Sequence, residues 1–283
     1  MNIEQYGITM LYALIYIALL VVLKYTLNAK SSGHYVADDE LAKGNMAVGL
    51  RRCGAILGFA IAMTGVYSGT PSESLSQDLI QTVIYGFVAI AFMVSSLVIT
   101  DRIVLPGVNN LEKLKSGNLA VGFVEFSMLI STGIIAYSSI YGDGGSILSS
   151  LSYFVAGQVS LVLLVLFYEK FVVRNFNIVD AVSKGRTASG IYLGGKLIAY
   201  SLILKSAIAG NVTGSSFPDM AIEFVSLALM GMVVLYVFEK VIDFLIVTST
   251  SVREILVEDK VVPAAQLASA KIGIALVLSI GIL

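Results

Sequence analysis

The sequence has little of what redox proteins and metalloproteins use. It contains one cysteine, one histidine and no tryptophan, and only 13% of its 283 residues are charged. The single cysteine, Cys53, excludes an intrachain disulfide, and His34 alone beside it leaves no Cys/His set with metal-ligand spacing. We therefore expect no cofactor, no metal site and no redox-pair chemistry.

Charge and catalytic motifs are equally scarce. The formal net charge is -1 and the basic residues are scattered, so nothing attracts nucleic acid. No His-Glu-x-x-His, Gly-x-Ser-x-Gly, phosphate-loop or dinucleotide-loop pattern occurs, and no loop between the apolar runs exceeds about 20 residues. An enzyme would need a site inside the membrane, so we predict that the protein is not an enzyme.

Apolar residues are what the chain has in excess. They make up 57% of it and its mean hydropathy is +0.88, which leaves too little polar surface for a soluble globule. A helix needs roughly 20 apolar residues to cross a hydrocarbon core of about 30 Å. The N-terminus lacks the basic region of a secretory signal, which indicates a retained first helix. The pattern predicts an all-α polytopic membrane protein with eight transmembrane helices, at about 7–27, 48–69, 79–100, 119–141, 148–168, 187–210, 220–246 and 264–283.

The loops between these segments are of two alternating kinds. Those around 70–78, 142–147 and 211–219 contain no Lys or Arg. Sixteen of the 18 basic residues lie in or near the longer loops, and only Lys196 and Lys205 do not. Basic loops stay in the cytoplasm by the positive-inside rule, so we expect both termini outside. The basic loops are those around 28–47, 101–118, 169–186 and 247–263.

A glycine-led motif recurs before each even-numbered helix, and each copy introduces a unit of two spans. Successive units therefore insert with the same orientation, about an axis along the membrane normal. We predict units at 1–70, 71–143, 144–211 and 212–283, which pair into four-helix domains at 1–143 and 144–283. The copies begin at Gly44-Asn45 with Gly49, at Gly117-Asn118 with Gly122, at Gly185-Arg186 with Gly190, and, in degenerate form, at Ala265-Gln266.

Acidic residues recur with the same period. The outgoing helices end near the acid-base dipeptides Asp101-Arg102, Glu169-Lys170 and Glu239-Lys240. A second acid stands five residues before the glycine in the first three units. In the fourth unit the nearest equivalent, Asp259, is one residue out of register. The second acids are Asp39, Glu112 and Asp180.

These motifs resemble the YjfL-like family of small bacterial inner-membrane proteins, known as domain of unknown function 350. Residues 40–58 and 112–133 match the family pattern, while the third and fourth copies replace its Asn by Arg186 and Gln266. The resemblance covers the whole chain as two tandem domains. It implies four spans per domain and a location in the bacterial cytoplasmic (inner) membrane. It implies no activity, but genes of such proteins tend to neighbour those of envelope-stress proteins.

Two interpretations exist for the recurring polar and small residues of the repeat. Asn45 and Asn118 stand where an N-cap belongs; alternatively, these helix starts face a vestibule and hold an anion or a lipid phosphate. Gly54-x-x-x-Gly58 and Gly190-x-x-x-Gly194 are typical of close helix packing. A permeation path lined by backbone is the alternative reading of those glycines.

Polar groups inside the spans are the remaining candidate sites. Arg52 and Glu125 each lie eight residues past their repeat glycine, at the same depth, so they could pair or line a polar pathway. Alternatively, Arg52 reaches the cytoplasmic surface. Lys196 lies near mid-membrane, and Gln158 lies in the middle of the fifth span. Gln158 would line a path or bond to a neighbouring helix.

The favoured function is a non-enzymatic bundle that acts in bacterial membrane homeostasis or envelope stress. Its expected partners are the lipid bilayer, cytoplasmic or membrane stress-response proteins, and further copies of itself in a homo-oligomer. The alternative is a channel or transporter for a small ion or polar solute, with a path between the repeats lined by Arg52, Glu125 and Lys196. The sequence identifies neither a solute nor a partner.

Overall fold

The computed structural model describes residues 3–69, 74–141, 147–171, 176–209, 217–246 and 250–281, and these ranges are helical with no strand. Eight helices are long and apolar enough to cross a membrane, which confirms the all-α, eight-span prediction. The helices are α1 (Ile3–Ser31), α2 (Ala37–Ala42), α3 (Met46–Tyr67), α4 (Leu75–Ile99), α5 (Asn110–Lys115), α6 (Leu119–Ile140), α7 (Ile147–Phe171), α8 (Ile178–Ser183), α9 (Thr187–Ala209), α10 (Phe217–Ile246), α11 (Val252–Val257) and α12 (Val261–Gly281).

The eight long helices form two sets. The inner helices α3, α6, α9 and α12 pack in a row, each against the next in the chain. The outer helices lie in the grooves of this row: α4 contacts α3 and α6, α7 contacts α6 and α9, and α10 contacts α9 and α12. A π-helical turn, Thr100–Val104, extends α4. The central inner helices α6 and α9 are therefore the most deeply buried spans.

Glycines bring the inner helices into backbone contact. A methyl group added at Gly54 would lie 2.6 Å from the Cα of Phe126, and one added at Gly133 would lie 2.7 Å from the Cα of Gly58. At Gly190 the added methyl would lie 2.6 Å from the Cα of Ala120. Small residues permit this approach where no hydrophobic effect drives helices together, so the geometry supports the packing interpretation of the glycine motifs.

Each inner helix follows a short helix and one residue in the left-handed region, which we call the turn residue. The turn residues Gly44, Gly117 and Gly185 have φ of +81°, +78° and +84°, and Asp259 has φ of +55°. Glycine adopts this conformation without penalty, and Asp is among the few other residues that tolerate it. The fourth copy of the motif therefore begins at Asp259, and its placement at Ala265 was wrong.

The corrected register aligns the acidic residues. Glu254 lies five residues before Asp259, in step with the second acids of the other three units. Asp243 lies 16 residues before Asp259, as Asp101 lies before Gly117. Asp243, rather than Glu239, is thus the equivalent acid at the end of the last outgoing helix. Glu239 lies one helical turn further into the span.

Candidate functional site

The first buried charge pair joins α3 to α6. Glu125 is 1% exposed, and its Oε2 lies 3.1 Å from the Nε of Arg51, itself 5% exposed. The contact is an ion pair without the alignment of a hydrogen bond, because Glu125 Oε2 has no hydrogen-bond partner in the described chain. The Nη1 of Arg51 also donates to the hydroxyl of Tyr35 at 3.2 Å. Burial raises the pKa of Tyr35, so the phenol stays neutral beside the pair.

The predicted pairing of Glu125 with Arg52 was wrong. Arg52 points away from α6: its Nη2 donates to the Oδ1 of Asn28 at 2.5 Å and lies 3.8 Å from the Oδ1 of Asp38. Successive residues of a helix are about 100° apart at 3.6 residues per turn, so two adjacent arginines at similar depth face different neighbours. The contact with Asp38, in the basic loop, agrees with the alternative that Arg52 reaches the surface.

A further ion pair lies where α1 and α4 end. The carboxylate of Asp101 accepts from Lys30 Nζ at 2.9 Å and from Asn110 Nδ2 at 2.8 Å. These contacts tie the first outer helix to the second, and both to the short helix α5. Asp101 is one of the acids that recur in the sequence, but nothing in the pattern indicates Lys30 as its partner.

The second buried cluster joins α9, α10 and α12. Lys196 pairs with Glu239, and both side chains are almost completely buried. One helical turn after Glu239 on α10, Asp243 Oδ1 lies 2.9 Å from Lys271 Nζ, which donates to the hydroxyl of Tyr192 at 3.3 Å. Two cations and two acids therefore balance within one site that three helices enclose.

Two tyrosine rings lie beside the two lysines. Lys271 Nζ lies 4.7 Å from the ring centroid of Tyr192, and Lys196 Nζ lies 5.6 Å from that of Tyr200. Ring faces stabilise cations at such distances, most strongly away from water. One oxygen, Glu239 Oε1, is buried and has no hydrogen-bond partner in the described ranges. Lys196 was among the candidate sites predicted from the sequence, whereas Lys271 was not.

Gln158 connects two helices rather than standing in a path. It lies on α7, is 3% exposed, and donates through Nε2 to the hydroxyl of Thr132 on α6 at 3.3 Å. Its Oε1 is buried without a hydrogen-bond partner in the described chain. The geometry agrees with the interpretation of Gln158 as a bond between neighbouring helices.

Asn45 has two roles at once. Its Oδ1 accepts from the backbone N–H groups of Ala47 and Val48, at 3.1 and 3.3 Å, and so caps α3. Its Nδ2 donates to the carbonyls of Leu114 and Lys115, at the end of α5 in the next unit, at 3.0 and 3.1 Å. We call this second contact the inter-unit bond.

Asn118 repeats both contacts one unit later. It caps α6 by accepting from Val121 N at 3.1 Å, and donates to the carbonyls of Val182 and Ser183 at 3.1 and 3.2 Å. The predicted caps are thus confirmed. Because the amide of each Asn is engaged by carbonyls, these helix starts serve to hold neighbouring units together rather than to present donors to an anion.

In the third unit two residues divide these roles. The side chain of Arg186, which stands in place of the Asn, cannot accept a hydrogen bond. It makes the inter-unit bond, to the carbonyls of Leu256 and Val257, but cannot make the cap. The carboxylate of Asp259, the turn residue of the next unit, accepts from Ala188 N at 2.7 Å instead. The substitution of Asn by Arg is therefore compensated from the neighbouring unit.

Within the described ranges, no three His, Cys, Asp or Glu side chains lie close enough together to hold a metal ion. The cationic and acidic groups of both clusters contact one another.

A family model described as Domain of Unknown Function (DUF350) matches the chain twice, over residues 1–140 and 144–282. The chain belongs to this family. The DUF350 matches confirm the resemblance seen in the sequence, and they meet beside the expected division at residue 143.

A sequence relative supports the same class. A "UPF0719 transmembrane protein" of Aquifex aeolicus (strain VF5) is 27% identical over 205 residues, which cover 71% of this chain and 73% of that relative. No solved structure matches the chain. This DUF350 chain is thus a transmembrane protein with eight apolar helices, and the names of its relatives describe no activity.

Proposed function

We propose that the protein is a non-enzymatic membrane bundle of the bacterial cytoplasmic membrane, which acts in membrane homeostasis or envelope stress together with partner proteins. The observation that carries this proposal is charge balance. The five fully buried charged side chains of the described chain all contact an opposite charge. They are Arg51, Glu125, Lys196, Glu239 and Lys271.

The packing of the inner row supports the same function. A transport path between the repeats would need space between inner helices, yet a methyl group added at Gly122 would lie 2.9 Å from the Cα of Ala47. Charges that are paired and enclosed by touching helices stabilise one arrangement of the bundle. Unpaired groups in a hydrated path would suit ion movement better.

Purified protein in proteoliposomes tests this proposal against transport. With a pH-sensitive dye inside and a potassium gradient across the bilayer, we expect no proton or potassium flux above that of empty liposomes. The variants Lys196→Met and Glu239→Gln serve as controls. A flux that the wild type carries and that both variants lose would overturn the proposal.

The homeostasis role itself is tested in the organism that carries the gene. We expect a deletion strain to release a cytoplasmic reporter enzyme under membrane stress, because the cytoplasmic membrane is then the barrier that fails. Complementation by the wild-type protein should restore the barrier. A deletion strain that is indistinguishable from its parent under detergent, osmotic and heat stress would contradict the role.

The second candidate function, transport, is favoured by one specific observation. The Lys196–Glu239 pair and the Lys271–Asp243 pair lie close together inside the span, Tyr192 bonds to Lys271, and one oxygen of Glu239 lacks a hydrogen-bond partner in the described ranges. Such a cluster is the kind of arrangement that proton relays use. Loss of flux in the Glu239→Gln variant, as described above, would select this function.

Orientation gives a separate prediction. In a Cys53→Ser background, we expect Ser74→Cys to react with a membrane-impermeant maleimide added outside intact cells, because Ser74 precedes α4 at the end opposite the basic loops. Ser116→Cys, beside the turn residue Gly117, should react only after permeabilisation. The reverse pattern would place the basic loops outside.

A further inference from the structure

The three interfaces of the inner row follow one rule. The residue ten positions after a turn residue contacts the residue nine positions after the turn residue of the next unit. A methyl group added to the glycine of each pair would lie 2.6, 3.0 and 2.5 Å, respectively, from the other member's nearest Cα or Cβ. The pairs are Gly54 with Phe126, Ser127 with Gly194, and Gly195 with Ala268.

The same two faces are left open at the ends of the row. On α12, Ser269 is ten positions after Asp259 and is exposed, and a methyl group added at Gly273 would meet nothing within 4 Å. On α3, Cys53 is nine positions after Gly44 and is exposed. The chain therefore carries both halves of a fourth interface, one at each end.

Gly49 shows the same contrast between the end and the interior of the row. It lies five positions after its turn residue, as Gly122 and Gly190 do. A methyl group added at Gly122 or Gly190 would collide with backbone of the preceding inner helix, but at Gly49 it would meet only a Leu41 side-chain atom at 3.8 Å. A glycine at this position on α3 is what an approaching inner helix would require.

The inter-unit bond is also incomplete at both ends. Lys260 stands at the position of Asn45, Asn118 and Arg186, and so supplies a donor at the end of the row of described inner helices. It pairs with its own unit's Glu254 and Glu258, and the hydrogen bond to Glu254 raises the pKa of Lys260. At the other end, in the described chain, no side chain of another unit reaches the carbonyls equivalent to those of Leu114 and Lys115. Those carbonyls belong to Leu41 and Ala42.

The outer helix α1 also lacks a neighbouring inner helix on one side. Each later outer helix lies in a groove between two inner helices, whereas α1 has only α3 on one side and contacts mainly α4. Large apolar side chains of α1 are left exposed, among them Leu14 at 62% and Ile17 at 55%. A preceding inner helix would complete the groove that α1 covers.

We propose that a second copy of this chain supplies that helix: α12 of one copy packs against α3 of the next and continues the row from copy to copy. All copies insert in the bilayer with one orientation, so the contact repeats around an axis along the membrane normal. Such a head-to-tail contact is heterologous, and it closes into a ring when the rotation per copy allows. Lys260 of one copy then faces the Leu41 and Ala42 carbonyls of its neighbour.

The native cysteine, Cys53, allows the proposed contact between α12 and α3 of the next copy to be tested by cross-linking. By the rule above, Ser269 of one copy lies against Cys53 of the next. In native membranes treated with copper phenanthroline, we expect the Ser269→Cys variant to form disulfide-linked dimers and larger species, whereas the wild type stays uncrosslinked. Both positions are exposed on the single chain, so neither the variant nor the bond requires the fold to change.

Two matched variants decide the outcome. Cross-linking should disappear when Cys53→Ser is added to Ser269→Cys, and Val237→Cys, which is 54% exposed on α10, should not cross-link to Cys53. Cross-linking of Ser269→Cys that persists without Cys53 would show a symmetric contact and overturn the proposal. Absence of cross-linking would also overturn it. As an independent readout, Gly273→Leu should lower the oligomer mass measured in nanodiscs.

Discussion

The Glu125→Gln variant should lose about 3–5 kcal/mol of unfolding free energy, because it leaves the buried guanidinium of Arg51 without its counter-charge. Arg51→Gln should lose a similar amount for the converse reason. Together the two substitutions should recover much of the loss, since neither charge is then orphaned. Thermal or denaturant unfolding in detergent over the four variants measures the coupling energy.

The adjacent arginine, Arg52, provides the control for this double-mutant cycle. Arg52 has the same side chain at nearly the same depth but contacts Asn28 and Asp38. Losses from Arg52→Gln and Glu125→Gln should therefore add, with no more than about 0.5 kcal/mol of coupling. Coupling between Glu125 and Arg52 as large as that with Arg51 would contradict the observed pairing.

The Gly133→Leu variant should fail to accumulate as a folded protein. A side chain at Gly133 meets the backbone of Gly58, with the Cα 2.7 Å from the first added carbon, and no rotamer change relieves a clash with main chain. Overpacking in a core usually costs about 1–3 kcal/mol. Here the cost should exceed that range, because α3 and α6 must separate along their length.

Gly7→Ala is the control for this substitution. Gly7 also lies in an apolar span, but an added methyl group there meets nothing within 4 Å. Alanine is the better helix former, so stability should stay the same or rise by roughly 0.5–1 kcal/mol. Yield, monodispersity by gel filtration and melting temperature give the comparison; a well-folded Gly133→Leu protein would show that the inner helices are not in backbone contact.

The spans could be predicted because length and apolarity alone specify them. The fourth repeat could not, since its turn residue is Asp259 and the residue at its donor position is Lys260, neither of which matches the first copy by residue type. What recurs is a backbone conformation and a donor position, which different side chains satisfy. The alignment of Glu254 and Asp243 with the acids of the other units was the available signal.

The partners in the charge clusters could also be predicted only in part from the sequence. Depth follows from counting residues along a helix, and it correctly placed Arg52 and Glu125 at one level. Which of two adjacent residues faces a given neighbour depends on the order of the helices around the row, which hydropathy does not contain. The 16-residue spacing of Asp243 from the turn residue would have identified this acid, but no comparable spacing pointed to Lys271.

The direction of the inter-unit bond bears on how the chain is made. In each of the three bonds the donor belongs to the earlier unit, and the accepting carbonyls belong to the one synthesised next. When a helical hairpin is synthesised, the unit before it therefore already carries the side chain that donates to its carbonyls. Assembly can proceed with translation, one hairpin at a time, and the growing edge always carries the donor for the next addition.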